Sequence, residues 1–498
     1  MGDLIKSTCM IRPMHFVYRN YLANWACVVA LGCSFFTSGE ENTNKLPELG
    51  DASSALVSPE AEKAIGEQFL KQIRAQLPTI DDPILKYYTN LNLYRLATHS
   101  DLKEVVLHPV LIDSDQINAF AAPGGIIGIN LGLYLAAQDV HEYSSVIAHE
   151  IAHLSQRHFA RGLEAQRAQS IPALLGMLTG ALIVAAGGGE AGLAAVTAAQ
   201  ALAQGQALRY SRGREKEADR VGLSTLARTK MDPYGMSRMF ERMQRAYRFT
   251  ERPPEFLLTH PITESRIADA LNQAAKYPRQ EYANSLEYLY MRARAVVHYA
   301  KTAQQAIRDA RTRIEKADSS DNRYLLALAL SRGEKHEQAV NQMRLLYENN
   351  DNSILLTFSY AEILISANRL EEANQILEKS LRLNPSNAPL SMLLAQSLQQ
   401  EGDFSEAQKI LWEQARLQPI DTDIWYQLAE VSGLAGDIVD VHRARAEYFV
   451  LHGAYQNAVQ HLQYARSLVD ENNNYLVQKL DQRIVDLRAE EEANRRAG

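Results

Sequence analysis

Cysteine is nearly missing from this sequence. The three present are Cys9, Cys27 and Cys33, and the rest of the 498 residues has none. The body of the chain therefore has no internal disulfide, no thiolate nucleophile and no thiolate metal ligand. Its chemistry must come from His, Asp, Glu or hydroxyl groups. An excess of positive charge is missing too. Asp+Glu 59 against Lys+Arg 52 leaves a formal charge of −7, which gives no support to nucleic-acid binding. The hydrophobic and charged fractions also argue against a polytopic membrane protein. What remains, at 46% hydrophobic and 22% charged, is a folded chain with room for two or three domains.

The N-terminus carries all three cysteines. Lys6, Arg12 and Arg19 precede the apolar run Trp25 to Cys33, followed by small and then acidic residues. This is the pattern of a secretory signal over residues 1–39. Ala30-Leu31-Gly32-Cys33 also reads as a lipoprotein cleavage site, although a soluble exported product is the preferred expectation; the competing one is a retained anchor. Residues 40–60, punctuated by Pro47, Gly50 and Pro59, read as a linker.

From 61 to 275 the pattern predicts helices with a small sheet. Apolar residues at helical spacing predict helices over 61–75 and from Asp82-Pro83 to Tyr94. Short strands are expected in 105–112, 117–120 and 126–129, with a tight turn at Gly124-Gly125. A helix opening at Asp139 is expected to run to about Leu163. Residues 171–208 carry no charge as far as Gly189. They read as two buried helices packed through small side chains or, alternatively, as an apolar lid beside the site.

The second half, 285–490, is periodic. Ala327, Ala361, Ala395 and Ala429 recur at 34 residues, as do Ala339, Ala373 and Ala407. A 34-residue helix–turn–helix period is the tetratricopeptide signature, in which small residues let paired helices approach closely. At least three regular repeats are expected over 321–423, with degenerate ones on either side. Between Ala429 and Ala446 the step is half a period, so a register slip is expected there.

His149-Glu150-Ile-Ala-His153 is the chemical centre. On a helix His149 and His153 share a face and can hold one tetrahedral zinc, while Glu150 lies about 100° round, placed to act on water. Zinc at such a site polarises the water, and Glu150 can take its proton and pass it to the leaving amine. A further ligand is needed, and Glu215, Glu217 and Asp219 are the candidates. Glu215 and Asp219 share a helix face and Glu217 points elsewhere; spacing leaves open which carboxylate binds metal and which accepts a histidine N–H. His158 sits five residues past His153, the wrong spacing for a third histidine ligand, so its removal is expected to leave zinc binding intact.

These motifs resemble the M48 peptidases, the family of the CAAX prenyl protease and the heat-shock membrane protease. The match extends to the strand and turn Asn118-Ala119-Phe120 through Gly124-Gly125, and to His260-Pro261 with Arg266-Ile267, covering about residues 60–270. The resemblance implies an α+β zincin-like peptidase domain followed by an all-α tetratricopeptide solenoid, with one Zn²⁺ per chain. It implies Glu215 as third ligand, Asp219 as partner of a ligand histidine, and His260 as a fourth ligand that keeps the enzyme at rest. The strand 118–125 would pair with extended substrate. With the signal and repeats, the chain is similar to periplasmic members of the family. That similarity implies misassembled outer-membrane proteins as clients, the lipopolysaccharide-export barrel protein among them. It further implies the barrel assembly machinery as a partner reached through the repeats, and a place in the periplasm, peripheral to the outer membrane. The competing reading is a non-catalytic chaperone or scaffold with a structural or inactive zinc site; an intact Glu150 argues against it, because a structural zinc needs no base.

Overall fold

In the computed structural model the described residues are 58–165, 212–247, 255–470 and 472–497. The expected signal, most of the linker and the segment 171–208 lie outside them. Among the described residues no helix is long and apolar enough to cross a membrane.

The chain begins with helix α1, Pro59–Gln76, whose N-terminus is capped by the Ser58 side chain. Helix α2, Pro83–Ala97, starts on an Asp82 cap with Pro83 in the first turn and runs three residues beyond Tyr94. Three strands follow: β1, His108–Ile112; β2, Ala119–Ala122; and β3, Ile126–Asn130. Their order is β1-β3-β2, with β1 parallel and β2 antiparallel to β3, so β2 is an edge. Strand alternation splits the core. Val110, Ile112 and Ile126 face α1, whereas Leu111, Ile127 and Ile129 face the main core on the opposite side. Gly128 leaves the space that the Phe120 ring occupies: a Cβ there would sit 2.1 Å from it. The Pro123–Gly125 turn needs positive φ at Gly124 (73°) and Gly125 (78°), and packs on α1 at Gly66.

Helix α3, Gly132–Ala136, leads to the central helix α4, Val140–Ser155, buried along nearly its whole length. The helix does not continue to Leu163 as expected. Arg157 adopts φ 49°, and its Nε and Nη2 both donate to one oxygen of Glu62 on α1, Oε2, at 3.1 and 2.9 Å, where the chain turns before α5, His158–Ala165. Helices α6, Arg212–Arg228, and α7, Tyr234–Tyr247, pack against α4. Two shorter helices, α8, Glu255–Thr259, and α9, Glu264–Ala274, close over the end of the site.

The remainder is helical. Helices α10, Leu286–His298; α12, Ser320–Arg332; α14, Ile354–Ser366; α16, Ala388–Glu401; and α18, Thr422–Leu434 start at 34-residue intervals. Between them run α11, Ala303–Lys316; α13, His336–Asn349; α15, Leu370–Leu383; and α17, Phe404–Leu417. Helices α19, Ile438–Leu451; α20, Tyr455–Leu468; and α21, Asn474–Ala497 complete the array. The regular spacing reaches back to 286, at the start of the expected repeat region 285–490, so the repeat before 321 keeps the same period as those after it. The expected half-period slip is absent from the helices, because α19 begins 34 residues after α17 and α20 begins 33 after α18; only the positions of the small residues change. At the place where α13, α15 and α17 carry Ala339, Ala373 and Ala407, α19 carries Val441, and the small pair Ala446–Ala458 sits instead in the seam of α19 with α20. The hydrophobic clusters part at that point, one ending with Ala444 and the next beginning at Ala446.

The peptidase region and the first repeats share one core. A single cluster of buried side chains runs from Ile80 to Leu394. Tyr134, Tyr143 and Tyr288 stack at its seam, with ring centroids 4.5–5.7 Å apart. Tyr288 and Arg292 of α10 both donate to the Ala137 carbonyl, at 3.1 and 3.0 Å. The far end of the array also returns to the peptidase: Arg74 of α1 donates to the carbonyl of Ile420 at 2.9 Å, Lys71 contacts the Tyr455 hydroxyl, and Lys86 pairs with Asp423.

Candidate metal centre

Helix α4 supplies His149, Glu150 and His153, α6 supplies Glu215 and Asp219, and the turn after α8 supplies His260. All six side chains are buried. The approach of α6 to α4 is close because Gly222 faces the backbone of Ala148 and His149; a Cβ there would meet it at 3.1 Å. One donor atom from each of His149, His153, Glu215 and His260 lies within 4.8 Å of the others. Among the described residues this is the one such group.

The separations fit a small tetrahedral ion. His149 Nε2 is 3.0 Å from His153 Nε2, 3.4 Å from His260 Nδ1 and 3.5 Å from Glu215 Oε2. His153 Nε2 is 3.6 Å from Glu215 Oε1, and His260 Nδ1 is 3.1 Å from the same oxygen. A tetrahedron built on bonds of 2.0–2.1 Å has edges of about 3.3 Å, so these donors already stand near the corners zinc requires. Nitrogen and carboxylate oxygen without sulfur is a zinc donor set of the hydrolytic kind.

The carboxylates left open by spacing divide as follows. Glu215 points at the Nε2 side of both histidines. Asp219 lies behind, its Oδ1 3.0 Å from His149 Nδ1. Arg266 fixes both acids: it donates to Asp219 at 2.8 and 2.7 Å, sits 2.9 Å from Glu215, and donates to the Pro261 carbonyl at 3.0 Å. Burial alone would push the His149 imidazole down, but Asp219 and Glu215 beside it raise it to about 9. Burial would likewise raise Glu215, yet His260 and His149 hold it far below the usual carboxylate range.

Glu150 differs. Both of its oxygens are buried without a hydrogen-bond partner among the described residues, and Oε1 lies 3.7 Å from His260 Nε2. Burial drives its carboxyl upward, opposed by His260 and His149. A buried carboxylate left without a partner is costly unless a ligand or water completes it. Strand β2 packs against α4 with its outer edge unpaired by any described strand, which places an extended backbone next to Glu150.

Residues 91–274 match the model of peptidase family M48, and 364–431 match that of the tetratricopeptide repeat. A beta-barrel assembly-enhancing protease of Escherichia coli K12 is 31% identical over 435 residues, covering 86% of this chain and 88% of the relative. The chain belongs to the beta-barrel assembly-enhancing proteases of peptidase family M48. A Vibrio cholerae relative is 34% identical over 401 residues, covering 72% of this chain and 82% of its own length. A bovine mitochondrial metalloendopeptidase OMA1 is 32% identical over 170 residues, covering 31% of this chain and 30% of its own. Membership and the buried donor cluster together make this M48 chain a zinc metalloendopeptidase.

Three neighbours of the site make contacts that the sequence does not show, Glu217 among them although it stood as a ligand candidate. Arg266 stood in a recognised motif, but nothing local showed that its guanidinium reaches two acids on another helix. Glu217 was expected to point away from Asp219 and does, toward His158 at 3.1 Å. His158 was set aside as a ligand by its spacing and is absent from the four-donor group, yet it touches His153.

Proposed function

We propose that His149, His153 and Glu215 hold one zinc, that Glu150 is the general base, and that His260 takes the fourth position at rest. The observation that carries this is the convergence of four buried donors beside the buried Glu150 carboxylate, whose Oε1 lies 3.7 Å from His260 Nε2. Zinc there supplies Lewis acidity toward water and the scissile carbonyl. The chain's own groups do the rest. The outer edge of β2, within the segment from Asn118, Ala119 and Phe120 to the Gly124-Gly125 turn, pairs with an extended substrate and lays its backbone beside the metal. Glu150, raised by burial, accepts the proton of the attacking water and returns it to the leaving amine. Asp219, held by Arg266, orients His149.

The substrates we infer are misassembled outer-membrane proteins, the lipopolysaccharide-export barrel protein among them, with the assembly machinery engaged through the repeats. Support comes from the names borne by the relatives and from a repeat array of the kind that binds polypeptides. The periplasm, at the outer membrane's inner face, follows as the place of action. The division proposed is a peptidase unit over 61–275 and a repeat unit over 285–490. The test is a zinc-loaded preparation acting on an unfolded protein, compared with Glu150→Gln. The variant should keep its zinc and lose about 10²–10⁴-fold in hydrolysis. Hydrolysis within threefold of the parent at equal zinc content would remove Glu150 from the role.

A further inference from the structure

A histidine that binds zinc through Nε2 must carry its proton on Nδ1, and the group opposite Nδ1 decides whether it does. At His149 that group is the acceptor-only carboxylate of Asp219. At His153 a second imidazole stands there: His158 Nδ1 lies 2.8 Å from His153 Nδ1. Two ring nitrogens bond only when one holds the proton and the other the lone pair, and the pair alone permits either arrangement.

The next contact decides. His158 Nε2 is 3.1 Å from Glu217 Oε2, and the same oxygen accepts from Arg161 Nη1 at 3.1 Å. An ionised carboxylate only accepts, so His158 carries its proton on Nε2 and presents a lone pair at Nδ1. His153 must then donate from Nδ1, which leaves its Nε2 lone pair facing the donor cluster. We propose that His158 and Glu217 form a tautomer relay that keeps His153 ready for zinc, with His158 a positioning residue rather than a ligand.

The backbone is shaped for this contact. On an unbroken helix, residues five apart do not face each other. The left-handed turn at Arg157, held by Glu62, interrupts the helix between the two histidines and brings the His158 ring back onto His153. The ring is fully buried, and Arg214 Nη1 donates to the His158 carbonyl at 3.3 Å. His153 and His158 thus stand to Glu217 and Arg161 as His149 stands to Asp219 and Arg266. The relay departs from the expectation that His158 is indifferent to zinc.

The inference rests on His153 as a proposed ligand, and the experiment separates the two. Zinc dissociation constants are measured by chelator competition on the full chain carrying Glu150→Gln, which prevents self-digestion. His158→Ala should weaken zinc about 10–100-fold, in the range seen when such outer partners are lost. His158→Asn, whose Oδ1 can accept from His153 Nδ1, should return to within fivefold of the parent. Glu217→Ala, at a partly exposed position, should weaken zinc at least threefold. Histidine ring ¹⁵N shifts of the zinc-free chain should report the Nδ1–H form of His153, and His158→Ala should lose that preference. Zinc affinity within threefold of the parent for both His158→Ala and Glu217→Ala overturns the relay. Equal weakening by Ala and Asn at 158 overturns it too, because packing and not the acceptor would then be at work. If His153→Ala itself binds zinc as tightly as the parent, the ligand assignment falls and the relay with it.

Discussion

His260 occupies the one corner of the donor cluster that comes from neither α4 nor α6. It stands in a turn whose next residue, Pro261, is tied to Arg266 through its carbonyl. On the proposed reading, an imidazole at that corner would keep water from being activated there and so suppress the resting enzyme. We expect His260→Ala to free the corner while His149, His153 and Glu215 keep the zinc. Hydrolysis of an unfolded substrate, and self-cleavage, should rise severalfold at matched zinc content. A fall to the level of Glu150→Gln would instead assign the ring to stabilising the reacting carbonyl oxygen.

At the scale of elements, the site depends on places where two backbones approach without a side chain between them. Gly66 of α1 is the tightest: a Cβ would lie 2.3 Å from the Pro123 carbonyl oxygen and 2.7 Å from Gly124 Cα. Backbone cannot rotate aside as a side chain can, so α1 or the Pro123–Gly125 turn must shift. Gly66→Ala should cost about 1–3 kcal/mol, the usual cost of overpacking, and denaturant titration of the full chain measures it. The turn joins β2 to β3, so peptide hydrolysis should fall as well, through KM more than through zinc content. Such contacts also mark where the sequence could be read and where it could not. His149, Glu150 and His153 were legible because a four-residue step on a helix is a local geometry. The 34-residue alanine period was legible because each repeat meets its neighbour in the same way. The break at Arg157 was not, since its cause is Glu62 on another helix. Nor was His158, because the relevant neighbour lies across that break. Arg266 depended in the same way on distant partners.

At the scale of the whole molecule, peptidase and repeats are joined by Arg294 of α10. Its guanidinium meets Asp82, the cap of α2, at 2.5 Å and Glu362 of α14 at 2.9 Å, and stands over the Phe358 ring. Arg294 is almost wholly buried, while Glu362 still reaches water. Arg294→Ala should therefore cost about 3 kcal/mol, the low end for breaking a buried pair. With one core on both sides, the full chain should melt in a single transition, shifted down as a unit in the variant. Two separate transitions by calorimetry would show the halves to be independent.

The contact between Lys71 and Tyr455 spans 384 residues of sequence. A ribosome delivers α1 among the first helices and its cover among the last. From the end of α9 at Ala274 until α20 is made, the chain thus holds a peptidase region whose first helix waits for repeats not yet made. Ordering so late a partner is slow, and the wait leaves a protease half-enclosed among other unfinished chains. Every residue of the four-donor cluster, including the histidine that would keep it shut, is translated before Ser320 begins the second repeat. The safeguard is complete before the enclosure is.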